Sequence, residues 1–326
     1  MINRKVIVKV PASTANLGPG FDTLGMALSL YAWIEMSALA SGETVIDLHG
    51  DGLNGIPRDK SNLIYKIAQL VFDEAGVAIP ELHISMYSEI PLTRGLGSSA
   101  SAIIGALTAA NALIGNPLEQ DRLFQIATKL EGHPDNVGAS LFGGIIVSSW
   151  DGSRAELIRL EPHPELDVLV AIPAFQLSTE KARHALPSQI ALNDAVFNVA
   201  SSSLLVAALA SGRFDLIKHA MRDRLHQPYR AALIPGMATI LEEATAHGAL
   251  GAALSGAGPT LLALVEAGSP QRGELEAFLK ATLLKEGIEA QTMWLKPCVS
   301  GPELTVWEGP DESASFMERI KGEIIA

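Results

Sequence analysis

The chain changes period at one junction, and that junction limits what it can fold into. Residues 82–90, LHISMYSEI, alternate apolar and polar side chains as a half-buried strand does, whereas SAIIGALTAANALIG (101–115) follows a helical run. Between them PLTRGLGSSAS (91–101) places two glycines and three serines where a strand hands over to a helix, expected from near Ser98 to just before Asn116–Pro117.

The same two periods mix along the rest of the chain. Lys5 to Val10 read as a strand, ANLGPG (15–20) as a turn and MALSLYAWIEMSAL (26–39) as a second strand, which together make a hairpin. A helix with Ser61 as its cap covers 61–75, another is expected over Glu119–Leu130, and GGIIVSSW (143–150) reads as a strand. After the polar stretch DGSRAELIRLEPHPE, the run LDVLVAIP (166–173) opens a second half, so the expected domains are 1–158 and 159–326. NDAVFNVASSSLLVAALA, FDLIKHAMRD and MATILEEATAH read as helices. GALGAALSGAGPTLLALVEAG reads as two short strands around a glycine turn, followed by a helix (272–287) and a strand (288–296). Hairpins together with crossovers predict an α+β fold rather than a doubly wound parallel sheet.

Length and charge narrow the function. With 326 residues, about half of them apolar, the chain can bury a substantial core, and two domains are favoured over one. Acidic residues outnumber basic ones by 36 to 24 for a net charge of −12, and no Lys/Arg cluster interrupts the balance. Nucleic acid and anionic membranes are therefore not expected partners; small molecules are. The single cysteine, Cys298, cannot form an internal disulfide and is read as a structural thiol. The start MINRKVIVKVP lacks the apolar core of a signal peptide, and no apolar run approaches the ~20 residues of a membrane span. A soluble cytoplasmic protein is the expectation.

The chemistry of the junction follows from its position. Gly95, Gly97, Ser98 and Ser99 precede a helix, where unpaired backbone N–H groups and the positive end of the helix dipole favour an anion. The stretch has no Gly-Lys-Ser/Thr and no third glycine of a dinucleotide fingerprint.

Its spelling, PLTRGLGSSASA, resembles the ATP-binding signature of the GHMP kinases. Two further stretches resemble the other motifs of that superfamily: PASTANLGPGFDTLGMAL (11–28) and GAALSGAGPTLLAL (251–264). The resemblance implies an amino-terminal domain like ribosomal protein S5 domain 2 and a ferredoxin-like carboxy-terminal domain, with ATP and Mg²⁺ as cofactors. It implies that Pro91, Leu92, Thr93, Arg94, Gly95, Leu96, Gly97, Ser98, Ser99, Ala100 and Ser101 surround the phosphates, that Asn62 touches adenine, and that Ser99 and Glu131 hold the metal.

Sugar and mevalonate members of the superfamily carry a lysine in the first motif; PASTANLGPGFD has none and is similar to the homoserine kinase family instead. EGHPDNVGASLFGG (131–144), STEKARHALP (178–187) and HQPYRAALIPG (226–236) are similar to that family too. The likeness implies L-homoserine as substrate and O-phosphorylation in threonine biosynthesis. Its carboxylate falls to Arg183 and Arg230, whose planar guanidinium suits that fork. Its ammonium falls to Asp22, and the amino-acid end or reacting hydroxyl to Asn16 and Asn136, with His133 lining the pocket. Asp135 stands where other members place an aspartate base, but without the lysine beside it the expectation is transfer without a dedicated base. The resemblance also implies a homodimer and competitive inhibition by L-threonine. Another acceptor (mevalonate, shikimate or a sugar) and a ligand sensor that has lost turnover remain as alternatives.

Overall fold

The computed structural model describes residues 4–78, 80–308 and 314–324. β1 (Arg4–Asn16) and β2 (Gly20–Ala38) form a long antiparallel hairpin. β1 runs past its expected end, and β2 starts before its expected beginning. From Val10 to Asn16 every residue of β1 is buried, so the alternation that marks a half-wet strand disappears. β3 (Val45–His49), which the sequence analysis does not assign, pairs in parallel with β4 (Leu82–Ser88) after a crossover through α1 (Leu63–Glu74). Asn62 caps α1, not Ser61: its Oδ1 accepts from the Ile64 N–H at 2.8 Å. The Ser61 hydroxyl instead donates to Asp59.

α2 (Ser98–Leu113) begins where the junction predicts and lies across the first sheet. Ile104 and Leu107 pack with Val8, Val10, Ile34 and Phe72 in one core, all fully buried. Each such side chain contributes roughly 1.5–3 kcal/mol relative to exposure. α3 (Gln120–Glu131) and α4 (Asp135–Phe142) follow, then β5 (Ile145–Trp150), paired with β2, and β6 (Ala155–Leu160), paired with β5. β6 lies inside the polar stretch; it fully buries only Ala155, and its Leu157 and Leu160 are partly buried against the cores while Ile158 is exposed, so no clean alternation marks it.

The second sheet runs in the order β10-β7-β9-β8 and is antiparallel throughout. β7 (Leu166–Pro173) leads to α5 (Thr179–His184), α6 (Leu192–Ser211), α7 (Ile217–Ala220), α8 (Gln227–Arg230) and α9 (Met237–Glu243). β8 (Gly251–Leu254), β9 (Leu261–Glu266), α10 (Arg272–Lys285) and β10 (Ala290–Leu295) complete it. Numbered within the sheet, the strand order is 4-1-3-2, the ferredoxin-like arrangement expected. β7 is buried along its whole length because its two faces enter different cores. Val168, Val170 and Ile172 meet Met26 and Leu28 of β2, while Leu169 and Ala171 meet Ile240 of α9 and Leu279 of α10.

Two further features depart from expectation. FDLIKHAMRD forms a single 3-10 turn plus the four-residue α7, not one helix. α6, at 20 residues, is long and apolar enough by length and composition to cross a membrane, contrary to the expectation that no run approaches that length. Its Leu192, Val196 and Val199 are 78%, 60% and 68% exposed, whereas Asn198 is buried and donates to the Pro19 carbonyl. The chain finally returns to the first sheet. β11 (Glu303–Glu308) pairs with β1, and Phe316 and Ile320 of α11 (Phe316–Ile320) pack on Ile7 and Trp33.

Candidate active site

A cleft between the two sheets gathers residues from both halves of the chain. It is lined by the 93–99 loop, the ends of β1 and β2, the α3–α4 turn, α5, Arg230 of α8 and the Gly256–Gly258 turn between β8 and β9.

The loop is tied down through its carbonyls. The Thr93 oxygen accepts from Leu177 N–H, Arg94 from Thr260, Gly95 from the Ser255 hydroxyl and Leu96 from Ser13. Among the described residues no partner is found for the N–H groups from Gly95 to Ala100. Of these, the N–H groups of Gly95, Gly97, Ser98 and Ser99 belong to residues that line the cleft at the start of a 16-residue helix and remain for a ligand, an arrangement suited to phosphate oxygens. Packing requires the glycines. Gly95 and Gly97 have φ of +80° and +70°, and a Cβ would fall on the Ser255 carbonyl or the Ser13 hydroxyl respectively.

Ser99 stands in the first turn of α2 and Glu131 ends α3, so two helix termini bring the expected metal pair together. The Ser99 hydroxyl donates to Glu131 Oε2 at 2.9 Å. Two hard oxygens at the mouth of the donor run fit Mg²⁺, which takes few protein ligands and fills its shell with phosphate and water.

Across the cleft the expected substrate residues converge. Asn16 and Asp22 sit at the facing ends of the β1–β2 hairpin with φ of +73° and +54°, and the Asp22 N–H donates to Asn16 Oδ1 at 3.0 Å. Such positive φ costs about 1–3 kcal/mol per residue, and here it aims both side chains inward. Asn136, in the first turn of α4, accepts from the buried Ser13 hydroxyl at 2.9 Å. Arg183 Nη1 and Nη2 form a fork on the Asp22 carboxylate at 3.0 and 2.8 Å. Arg230, 2% exposed, donates through Nε to the Ala182 carbonyl and through Nη1 to His226 Nδ1 and the Gly256 carbonyl. Burial, with Arg183 adding to it, pulls the Arg230 pKa down to about 10. The Phe21 ring lies 5.5 Å from the Arg183 guanidinium and 5.3 Å from that of Arg230.

His133 Nδ1 is 2.6 Å from Asp135 Oδ1, which also accepts from the Asn136 N–H. Burial works against a charge on His133, but Asp135 foremost, with Glu131 and Asp22, outweighs it and carries the pKa to about 9. A cation therefore stands beside Asp135 where the first motif supplies no lysine.

Not every expected residue reaches the cleft. Pro91, Leu92, Arg94, Leu96, Ala100 and Ser101 are not among its lining residues. Leu96 and Ala100 are fully buried core, and Ser101 donates to the Ser98 carbonyl. Arg94 Nη2 is turned to the Ala174 carbonyl at 2.8 Å, away from the donor run. Asn62 also lies outside the lining, its amide spent on the α1 cap and the Pro57 carbonyl. Conversely Ala15, Phe21, Leu177, Thr179 and Gly256–Gly258 line the cleft without having been singled out. For the last, the glycine-rich third motif was the available signal.

The chain matches the model of the GHMP kinases N terminal domain over residues 62–144 and that of the GHMP kinases C terminal over 205–281. It is 45% identical over 292 residues to a homoserine kinase of Carboxydothermus hydrogenoformans, covering 90% of this chain and 94% of that one. A homoserine kinase of Synechococcus sp. is 46% identical over 302 residues, covering 92% and 98%. Among solved structures, a homoserine kinase from Cytophaga hutchinsonii superposes with a TM-score of 0.83 at 28% identity, covering 92% and 97%.

Proposed function

Because the chain belongs to the homoserine kinase family of the GHMP kinases, ATP-dependent phosphotransferases acting on hydroxyl groups, we propose that it converts L-homoserine to O-phospho-L-homoserine for threonine biosynthesis. One observation carries the reading: a cluster of opposite charges suited to a zwitterion, Asp22, Arg183 and Arg230, shares one cleft with a run of unpaired N–H groups suited to phosphate. Asp22 and Arg183 pair with each other, and homoserine's ammonium and carboxylate exchange into that pair. Arg230 takes the carboxylate with Arg183, and Asn16 and Asn136 orient the hydroxyl end, with His133 closing the pocket.

The hydroxyl oxygen forms a bond to the γ-phosphorus as the bond to the β–γ bridging oxygen breaks. Positioning and charge stabilisation supply most of the catalysis in such a loose transition state. With Arg94 turned away, the loop N–H groups carry the phosphate charge together with Mg²⁺ held by Ser99 and Glu131, which when bound neutralises the phosphate oxygens. Asp135 Oδ1 already accepts two hydrogen bonds and serves to hold His133. The hydroxyl proton leaves through solvent or a phosphate oxygen.

We read residues 1–158 and 159–326 as the two domains, with the β11–α11 segment returned to the first, and the enzyme as cytoplasmic, without nucleic-acid or membrane partners. The homodimer implied by the resemblance has a candidate face in exposed Leu192, Val196 and Val199. The test is ADP release from Mg-ATP against L-homoserine, mevalonate, shikimate, galactose and no acceptor. Turnover is expected with homoserine alone. Turnover with another acceptor overturns the substrate roles, and silence with ATP binding intact leaves a sensor on this fold.

A further inference from the structure

We propose that His226 is a positioning residue for Arg230 and fixes how that arginine meets the substrate carboxylate; the inference rests on the carboxylate role of Arg230 proposed above. His226 has no solvent exposure, and its ring makes two hydrogen bonds. An arginine can only donate, so His226 Nδ1, 3.1 Å from Arg230 Nη1, is the acceptor of that bond. Nε2 then carries the proton and donates to the Gly18 carbonyl at 2.7 Å in the β1–β2 turn. The ring is neutral, as its surroundings favour: burial first, then Arg230, depress its pKa against the opposing pull of Asp223, the Gly18 carbonyl and Asp22.

The consequence falls on the donors of Arg230. Nε is committed to the Ala182 carbonyl and Nη1 to His226 and Gly256, so among the described residues only Nη2 has no protein partner. A carboxylate fork needs two adjacent guanidinium nitrogens, and two of the three are already engaged. Arg230 therefore meets the carboxylate end-on, through Nη2 alone. His226 sets this geometry by holding Nη1 out of reach, and it couples the arginine to the turn that also places Asn16 and Asp22.

Two substitutions separate positioning from mere support of the turn. In His226→Asn the side-chain oxygen can replace Nδ1 as acceptor for Arg230, while the Gly18 bond is lost. In His226→Gln the amide NH₂ can replace Nε2 as donor to Gly18, while Arg230 loses its acceptor. Expected is a rise of about tenfold in the homoserine KM of His226→Gln, the loss of one charge-assisted hydrogen bond, with kcat and the ATP KM within twofold of wild type. His226→Asn should stay within threefold. The rise should vanish with 3-aminopropan-1-ol, which lacks the carboxylate. The reverse ranking, or a parallel rise for homoserine and ATP, makes His226 a structural tie and overturns the proposal; so does a wild-type KM in both variants. Arg230→Met is the control. An unchanged homoserine KM there removes the carboxylate role itself, whereas a raised one with a silent His226→Gln removes only this inference.

Discussion

Glu131 and Ser99 are 32 positions apart in sequence, yet two helix ends bring their oxygens to 2.9 Å. If they hold Mg²⁺, Glu131→Gln should lower kcat by roughly a hundredfold and raise the Mg²⁺ concentration for half-maximal rate; steady-state titration with the metal checks both. For Asp135 the expectation is different. A general base contributes about 10²–10⁴ in rate, so Asp135→Asn should lose no more than about tenfold in kcat if the aspartate only holds His133, and a loss above a hundredfold would make it the base. The types of these residues were legible in the sequence, because motif spelling carries them. Their partners were not. The resemblance gives Arg183 and Asp22 opposite ends of a substrate, and only the fold shows them bound to each other across 161 positions. Arg94 is the one positive charge within PLTRGLGSSAS, and its turn toward the Ala174 carbonyl depends on the chain just past β7, 80 residues away.

At the scale of elements, the strand–loop–helix unit was the clearest signal, since a change of period flanks it on both sides. What the period cannot tell is why the loop needs glycine: Gly97 packs on Ser13 of β1, a contact between distant segments. Gly97→Ala should therefore destabilise by about 1–3 kcal/mol and weaken ATP binding at least tenfold. Gly76→Ala, at φ +65° with nothing within 4 Å of its Cβ position, should cost only the backbone strain. Thermal melts and nucleotide titration compare the two. A second element-level tie joins α10 to β10, where Glu276 accepts from Thr292, Lys280 and Trp294. Those bonds, Thr292 first, hold its pKa at about 2, below the ordinary 4.5. A depressed carboxylate pKa stabilises the fold above pH 4.5 and loses that contribution as pH falls toward 2. Glu276→Gln should cost about 1 kcal/mol near pH 7, after allowing for the partial exposure of the group. The difference from wild type should shrink in denaturant melts below pH 4. Elements with a mixed, half-exposed pattern, such as β6, or with both faces buried, such as the end of β1, were the ones that periodicity misjudged.

The whole molecule presents its zwitterion-suited charges at the seam of two sheets, and any amino acid small enough to enter meets the same Asp22, Arg183 and Arg230. L-Threonine, which keeps the amino-acid end and moves the hydroxyl, should raise the apparent homoserine KM while leaving kcat unchanged; initial rates at several threonine concentrations test this. The α+β class was legible because hairpins and crossovers alternate along the chain, but the closing of the first sheet was not. β11 is a short, largely exposed strand whose partner, β1, lies some 300 residues earlier. That pairing has a consequence for synthesis. β1 leaves the ribosome some 300 residues before β11, so for that stretch of translation the hairpin edge stays bare, with backbone donors open to any passing strand. A nascent chain stalled before residue 303 should therefore need chaperone cover that the finished enzyme does not.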